Sequence, residues 1–185
     1  MKTVLITTSS FGAEDPFPRR TLLEAGLDVQ TNPHGRKLTE EEVLGLLIKH
    51  RPVGMIAGVE PLTRRVLESS AGHLRVISRC GTGMENVDSA AAAALSMRVC
   101  NTPDAPAQAV AELSVGLMLC VLRRIAEADR SLRGGAWKAL QGSLLGDKTV
   151  GVVGLGRIGS RVASLVRGFG CKVVGFDPVA PAAPG

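Results

Sequence analysis

Six residues near the end of the chain, Gly154-Leu155-Gly156-Arg157-Ile158-Gly159, are the ones whose types and spacing most directly suggest chemistry. Gly154 permits a tight turn, Gly156 lets the main chain approach a pyrophosphate, and Gly159 lets a helix pack closely on a strand. The amides of Arg157 and Ile158 would face phosphate oxygens at a helix N-terminus, where the helix dipole favours negative charge. Asp177 lies 18 residues past Gly159. At that distance it can accept both hydroxyls of an adenosine ribose. A carboxylate there disfavours a 2′-phosphate, and Pro178 supplies no positive charge, so NAD is expected over NADP.

The setting makes the six residues specific. KTVGVV (148–153) reads as a strand with one buried face. Ile158, Val162, Leu165, Val166 and Phe169 then recur three and four apart, the pattern of an amphipathic helix. Gly170 ends that helix, and KVVGF (172–176) reads as the next strand, closed by Asp177. The unit over 148–177 is a first βαβ crossover.

A second loop has the same placement. RVISRC (75–80) reads as a strand, and Cys80-Gly81-Thr82-Gly83 follows it before a helix near Asp88. Open parallel sheets bind ligands at the carboxyl ends of their strands. Gly81 and Gly83 would leave backbone N–H groups free to hold a carboxylate. The same residues fit an ordinary strand–helix turn equally well.

The elements that must position these loops alternate. TVLITT (3–8), DVQTN (28–32), GMIAG (54–58), RVISRC and RVCNT (98–102) read as strands. Helical patterns lie between them: 18–26, a stretch to His50 opened by a Thr39–Glu42 capping box, 62–72, and an alanine-rich helix that Asp88 or Ser89 can cap. The rhythm argues for an α/β fold with a parallel sheet and helices on both faces. Prolines 103 and 106 interrupt it. A long helix is expected from about 107 to 132, apolar almost all round in its first half. The domains expected are 1–101 and 102–185, and the tail VAPAAPG reads as loop.

The bulk properties exclude several classes. Net charge is only +5 and the basic residues form no long run. Tyrosine is absent and aromatics are 3%, which argues against nucleic-acid binding. Cys80, Cys100, Cys120 and Cys171 form no close pair and sit in apolar sequence, so they are expected as buried hydrophobes and no metal site is expected. The N-terminus is no signal peptide, and Leu113–Leu122 is too short to span a bilayer, so no membrane partner is expected. A cytoplasmic protein is expected.

SRCGTGMENVDSAAAAA, VCNTPDAPAQAVAE and GDKTVGVVGLGRIG together resemble the D-isomer-specific 2-hydroxyacid dehydrogenases, and most of all their phosphoglycerate dehydrogenases. The resemblance runs over nearly the whole chain and is densest from Arg75 to Pro178. It implies a flavodoxin-like substrate domain followed by the first part of a Rossmann NAD-binding domain. It implies that Arg79, Gly81, Thr82 and Gly83 bind the carboxylate of a 2-hydroxy or 2-keto acid. It implies that Thr82, Gly154, Gly156, Arg157, Ile158, Gly159 and Asp177 meet the cofactor. It also implies a homodimer through the helix at about 107–132.

The chain departs from the family at two places. The family's catalytic arginine, carboxylate and histidine follow the second Rossmann strand, beyond Gly185, so no catalytic residue is assigned and a truncated chain, inactive alone, is expected. His34, His50, His73 and Glu112 are poor substitutes: His73 precedes a strand, His50 ends a helix, His34 sits in a loop, and Glu112 is expected as a buried structural group. The arginine that phosphoglycerate dehydrogenases often carry after the third strand is also missing from MIAGVEPLT (55–63). A dehydrogenase is the leading expectation. A non-catalytic, NAD-responsive protein resembling corepressors and an inactive remnant are the alternatives.

Overall fold

The short apolar runs become parallel strands because each is followed by a turn and a helix long enough to carry the chain back across the sheet. In the computed structural model, residues 1–179 are described, and most of the loop expected for VAPAAPG lies outside them. The chain divides into two compact units, Met1–Pro103 and Asp104–Gly185. The division falls two residues beyond the expected boundary.

The first unit holds β1 (Thr3–Ile6), α1 (Phe17–Glu24), β2 (Asp28–Thr31), α2 (Glu40–His50), β3 (Gly54–Ala57), α3 (Arg64–Ser69), β4 (Val76–Arg79), α4 (Ser89–Ala94) and β5 (Arg98–Asn101). All five strands are parallel, in the order β2-β1-β3-β4-β5. This is the flavodoxin-like order. The register pairs Val4 with Gly54, Gly54 with Val76, and Val76 with Arg98. Leu5, Met55, Ala57 and Ile77 of the sheet pack with Val43 and Leu47 of α2, Val66 and Leu67 of α3, and Ala91 and Ala92 of α4. By contrast, α1 buries no residue fully.

The helix starts follow local chemistry. Thr39 and Glu42 form both halves of a capping box at α2. Arg36 forks onto Glu42 at 2.6 and 3.0 Å and, with the Thr39 amide, holds that carboxyl down to about 2. Its share of stability is therefore present above the ordinary carboxylate range and lost as pH falls toward 2. Asp88, rather than Ser89, caps α4 through the Ala91 amide at 2.8 Å.

The second unit holds α5 (Ala107–Leu122), α6 (Ile125–Arg133), β6 (Thr149–Val153), α7 (Arg157–Arg167) and β7 (Lys172–Phe176). β6 and β7 are parallel, with Val150 opposite Val173. Ala111 and Val115 of α5, Val150 and Val152 of β6, and Val162, Ala163 and Val166 of α7 form its core.

The single helix expected over 107–132 is broken. Arg124 adopts a left-handed conformation, with φ of 54°. At the break the Ser143 amide donates to the Leu122 carbonyl at 2.8 Å. A continuous helix would need that carbonyl for its own ladder. Two further expectations fail. Cys80 and Cys100 are exposed and Cys120 is half-buried, leaving only Cys171 buried. Cys80 lies in a loop and Cys100 on the edge strand β5, where apolar sequence does not guarantee cover. Glu112 is exposed and accepts a hydrogen bond from Gln108 Nε2 at 2.7 Å, so it is not a buried structural carboxylate.

His73 stands at the amino edge of the first sheet. Its Nδ1 lies 2.7 Å from the Ser70 carbonyl, and its Nε2 is buried without a partner among the described residues. Burial first, then Arg51 and Arg75, push its pKa below the ordinary value. The unfolded chain therefore takes up this proton first as pH falls below about 6.5, and stability drops. His73→Gln should lose this dependence. Urea unfolding should show the wild-type advantage over the variant shrinking from pH 7.5 to 5.5, and a constant difference would refute this reading of His73.

Candidate functional site

The second unit forms its glycine loop from the main chain outward. The Gly154 amide donates to the Phe176 carbonyl at 2.7 Å, extending the β6–β7 ladder by one rung. Gly154 then turns left-handed, with φ of 91°. A side chain there would be strained. The Leu155 amide donates to Asp177 Oδ2 at 2.7 Å, and Ser160 Oγ donates to the Leu155 carbonyl at 2.6 Å. The loop is thus braced from the end of β7 and from the first turn of α7.

Two glycines then have opposite environments. A Cβ on Gly159 would collide with the Gly154 carbonyl and lie 3.2 Å from Val152 Cγ1. A Cβ on Gly156 would meet nothing within 4 Å. Gly159 is therefore needed for packing, while Gly156 faces open space where a ligand backbone can approach. Gly156 caps α7 with no side-chain hydrogen bond, and the helix has no acidic residue in its first turn. The first amides of α7, at Arg157 and Ile158, are left for an external acceptor. This donor set fits a dinucleotide pyrophosphate.

Asp177, the residue expected at the ribose, follows β7 and braces the loop. Its Oδ2 accepts from Leu155 and its Oδ1 from the Val179 amide at 2.9 Å. The Arg157 side chain pairs with Asp104, Nε to Oδ1 at 2.7 Å. Neither Asp177's brace nor this pair is visible in the glycine spacing.

In the first unit, the loop after β4 is more occupied than its glycines suggested. Gly81 has φ of 135°, and the Arg79 guanidinium fills the place of its missing side chain. Arg79 Nη1 donates to the Cys80 carbonyl at 2.6 Å, and its Nε is buried without a partner among the described residues. The Gly81 amide is not free, because it donates to Thr102 Oγ1 at 3.0 Å. Thr102 lies 21 residues away, beyond local pattern reading. Thr82 Oγ1 donates to the Pro103 carbonyl at 3.3 Å, and Asn101 Nδ2 donates to the Thr82 carbonyl at 2.7 Å. Gly83 lies against the Glu85 carboxylate. Gly81, Thr82 and Gly83 share one loop, and Arg79, the last residue of β4, folds its guanidinium over it.

A buried carboxylate beneath this edge escaped the sequence reading. Glu60 is 1% exposed. It accepts from Thr7 Oγ1 and from the Gly58 amide at 3.0 Å, and Asn86 Nδ2 donates to its carbonyl at 2.7 Å. It ties together the loops after β1 and β3. His34 is exposed, 3.8 Å from Glu42, and belongs to the capping region of α2. His50 is the last residue of α2, and His73 stands at the opposite, amino edge of the sheet.

The two glycine environments give a direct contrast. Gly159→Ala should destabilise the second unit by about 1–3 kcal/mol, as overpacking does. Gly156→Ala should leave its urea midpoint nearly unchanged. Equal effects would contradict the packing described here.

Residues 115–184 match the NAD-binding domain of the D-isomer-specific 2-hydroxyacid dehydrogenases. Over 167 residues the chain is 36% identical to D-3-phosphoglycerate dehydrogenase of Rattus norvegicus, covering 89% of this chain and 30% of that protein. Over 144 residues it is 39% identical to hydroxypyruvate reductase of Thermotoga maritima, covering 77% and 47%. A D-isomer-specific 2-hydroxyacid dehydrogenase from Polaromonas superimposes with a TM-score of 0.84 at 27% identity, over 98% of this chain and 56% of that one. NAD+-bound 3-phosphoglycerate dehydrogenase from Entamoeba histolytica gives 0.77 at 27% identity, over 98% and 55%. The chain therefore spans about a third to a half of these curated relatives. No helix among the described residues is long and apolar enough to cross a membrane. Residues 115–184 thus match the NAD-binding domain of the D-isomer-specific 2-hydroxyacid dehydrogenases, and the chain as a whole is similar to these proteins in sequence and in fold.

Proposed function

We propose that the whole protein is an NAD-dependent oxidoreductase acting on the CH–OH group of a D-2-hydroxy acid, and that this chain supplies its binding loops. The observation that carries the reading is the open α7 terminus, with Gly156 facing free space and uncapped amides behind it. The amides of Arg157 and Ile158 hold the pyrophosphate, and Asp177 holds the adenosine ribose. NAD, when bound, supplies the hydride acceptor. Arg79 and the Thr82–Gly83 amides hold the acid's carboxylate. The Gly81 amide keeps the loop in shape through Thr102. Proton transfer belongs to the family's arginine, carboxylate and histidine, for which this sequence offers no matching positions.

The substrate proposed is a small 2-hydroxy or 2-keto acid, of the phosphoglycerate or hydroxypyruvate kind named among the relatives. A second copy of the chain is the partner proposed. Leu113, Leu117 and Val121 are 62%, 57% and 75% exposed on α5, while Ala111 and Val115 behind them are buried. The helix therefore has a packed apolar face and an uncovered one. A cavity of ≈ 570 Å³ beside it is lined by Leu117, Met118, Val121 and Leu145 among others. Burying such a stripe against its own copy removes exposed apolar surface from water.

Calorimetric titration should show saturable binding of NADH, and weaker binding of NADPH. Asp177→Asn keeps an acceptor but removes the charge, and should reduce the NADH-to-NADPH affinity ratio by about tenfold. Absence of NADH binding would overturn the reading. Light scattering should give twice the chain mass, and Leu117→Asp with Val121→Asp should give the single mass. A wild-type monomer would remove the dimer proposal.

A further inference from the structure

Arg157 is the first residue of α7 and the one charged side chain within Gly154–Gly159. Its guanidinium is held by Asp104, Nε to Oδ1 at 2.7 Å. Arg157 and Asp104 are 58% and 69% exposed, so the pair contributes little to stability. Its position gives it another consequence. A helix N-terminus attracts negative charge, and α7 has no acidic residue of its own in the first turn. Asp104, from a distant part of the sequence, brings the anion instead. It occupies the loop's cation and adds a negative charge beside the phosphate site.

We propose that Asp104 is an internal competitor for the nucleotide's phosphates, setting cofactor affinity by withholding Arg157; this rests on the dinucleotide reading of the loop. A pyrophosphate must either displace the Asp104 carboxylate from Arg157 or bind without that side chain. Either way, the acid opposes an incoming double negative charge. Both side chains are exposed and screened by water and salt, so the effect is modest and salt-dependent.

The test is NADH titration of the full chain and of Asp104→Asn, at low and high salt. Asp104 is exposed and its side chain caps no helix, so the variant should unfold with the wild type. Asp104→Asn should bind NADH about three- to tenfold tighter at low salt, with the gain shrinking as salt is raised. In an Arg157→Gln background the same substitution should give a smaller gain, because the cation it liberates is gone. Unchanged or weaker binding by Asp104→Asn, with the wild type binding NADH, would overturn this inference and leave the dinucleotide reading standing. Binding by neither protein would overturn both.

Discussion

The second unit depends on one close approach, the contact of Gly159 with the Gly154 carbonyl. A side chain at 159 would drive α7 off the end of β6. With only hydrogen there, the helix seats on the strand, Val162 and Val166 reach the core, and Val150 and Val152 are covered. The same seating sets the helix terminus beside the loop, so packing and ligand geometry come from one constraint. Asp177 and Ser160 then hold Leu155 from two sides, leaving Gly156 and the following amides as the exposed part of a rigid turn. Rigidity matters because an anion site formed before binding costs little ordering when the ligand arrives.

The first unit solves a related problem differently. Its strand ends carry loops whose polar groups must be satisfied near the core. Glu60 does this from inside, accepting from Thr7 and Gly58 while Asn86 holds its carbonyl. A buried carboxylate needs such partners. No cation pairs with Glu60 among the described residues. Arg79 instead folds over Gly81, its Nη1 on the Cys80 carbonyl and its buried Nε without a partner among the described residues. The edge thus combines a buried acid that shapes the loops and an arginine folded over Gly81.

Much of this was legible because the signals are local. Thr39 and Glu42 lie three apart and form the capping box that their spacing announces. Asp88 caps α4 in the same way. Strand and helix alternation led to the parallel sheet, and Gly154, Gly156 and Gly159 to the βαβ turn. What was missed depends on residues far apart in sequence. The break at Arg124 is accompanied by a bond from the Ser143 amide to the Leu122 carbonyl, and the Gly81 amide is taken by Thr102. Exposure was misread at Cys80, Cys100 and Glu112 because an apolar neighbourhood in sequence does not say which side of an element is covered. The family resemblance named the two loops, while the brace formed by Asp177 and the pair of Arg157 with Asp104 came from the structure alone.

The central claim is that the open terminus of α7 receives a dinucleotide's phosphates. The most direct measurement is residue-resolved: backbone amide spectra of the isotope-labelled chain, followed as NADH is added. The account predicts that the amides of Gly156, Arg157 and Ile158 move first and furthest, with Leu155 following through its bond to Asp177. Shifts confined to other parts of the chain, or none at all, would contradict it.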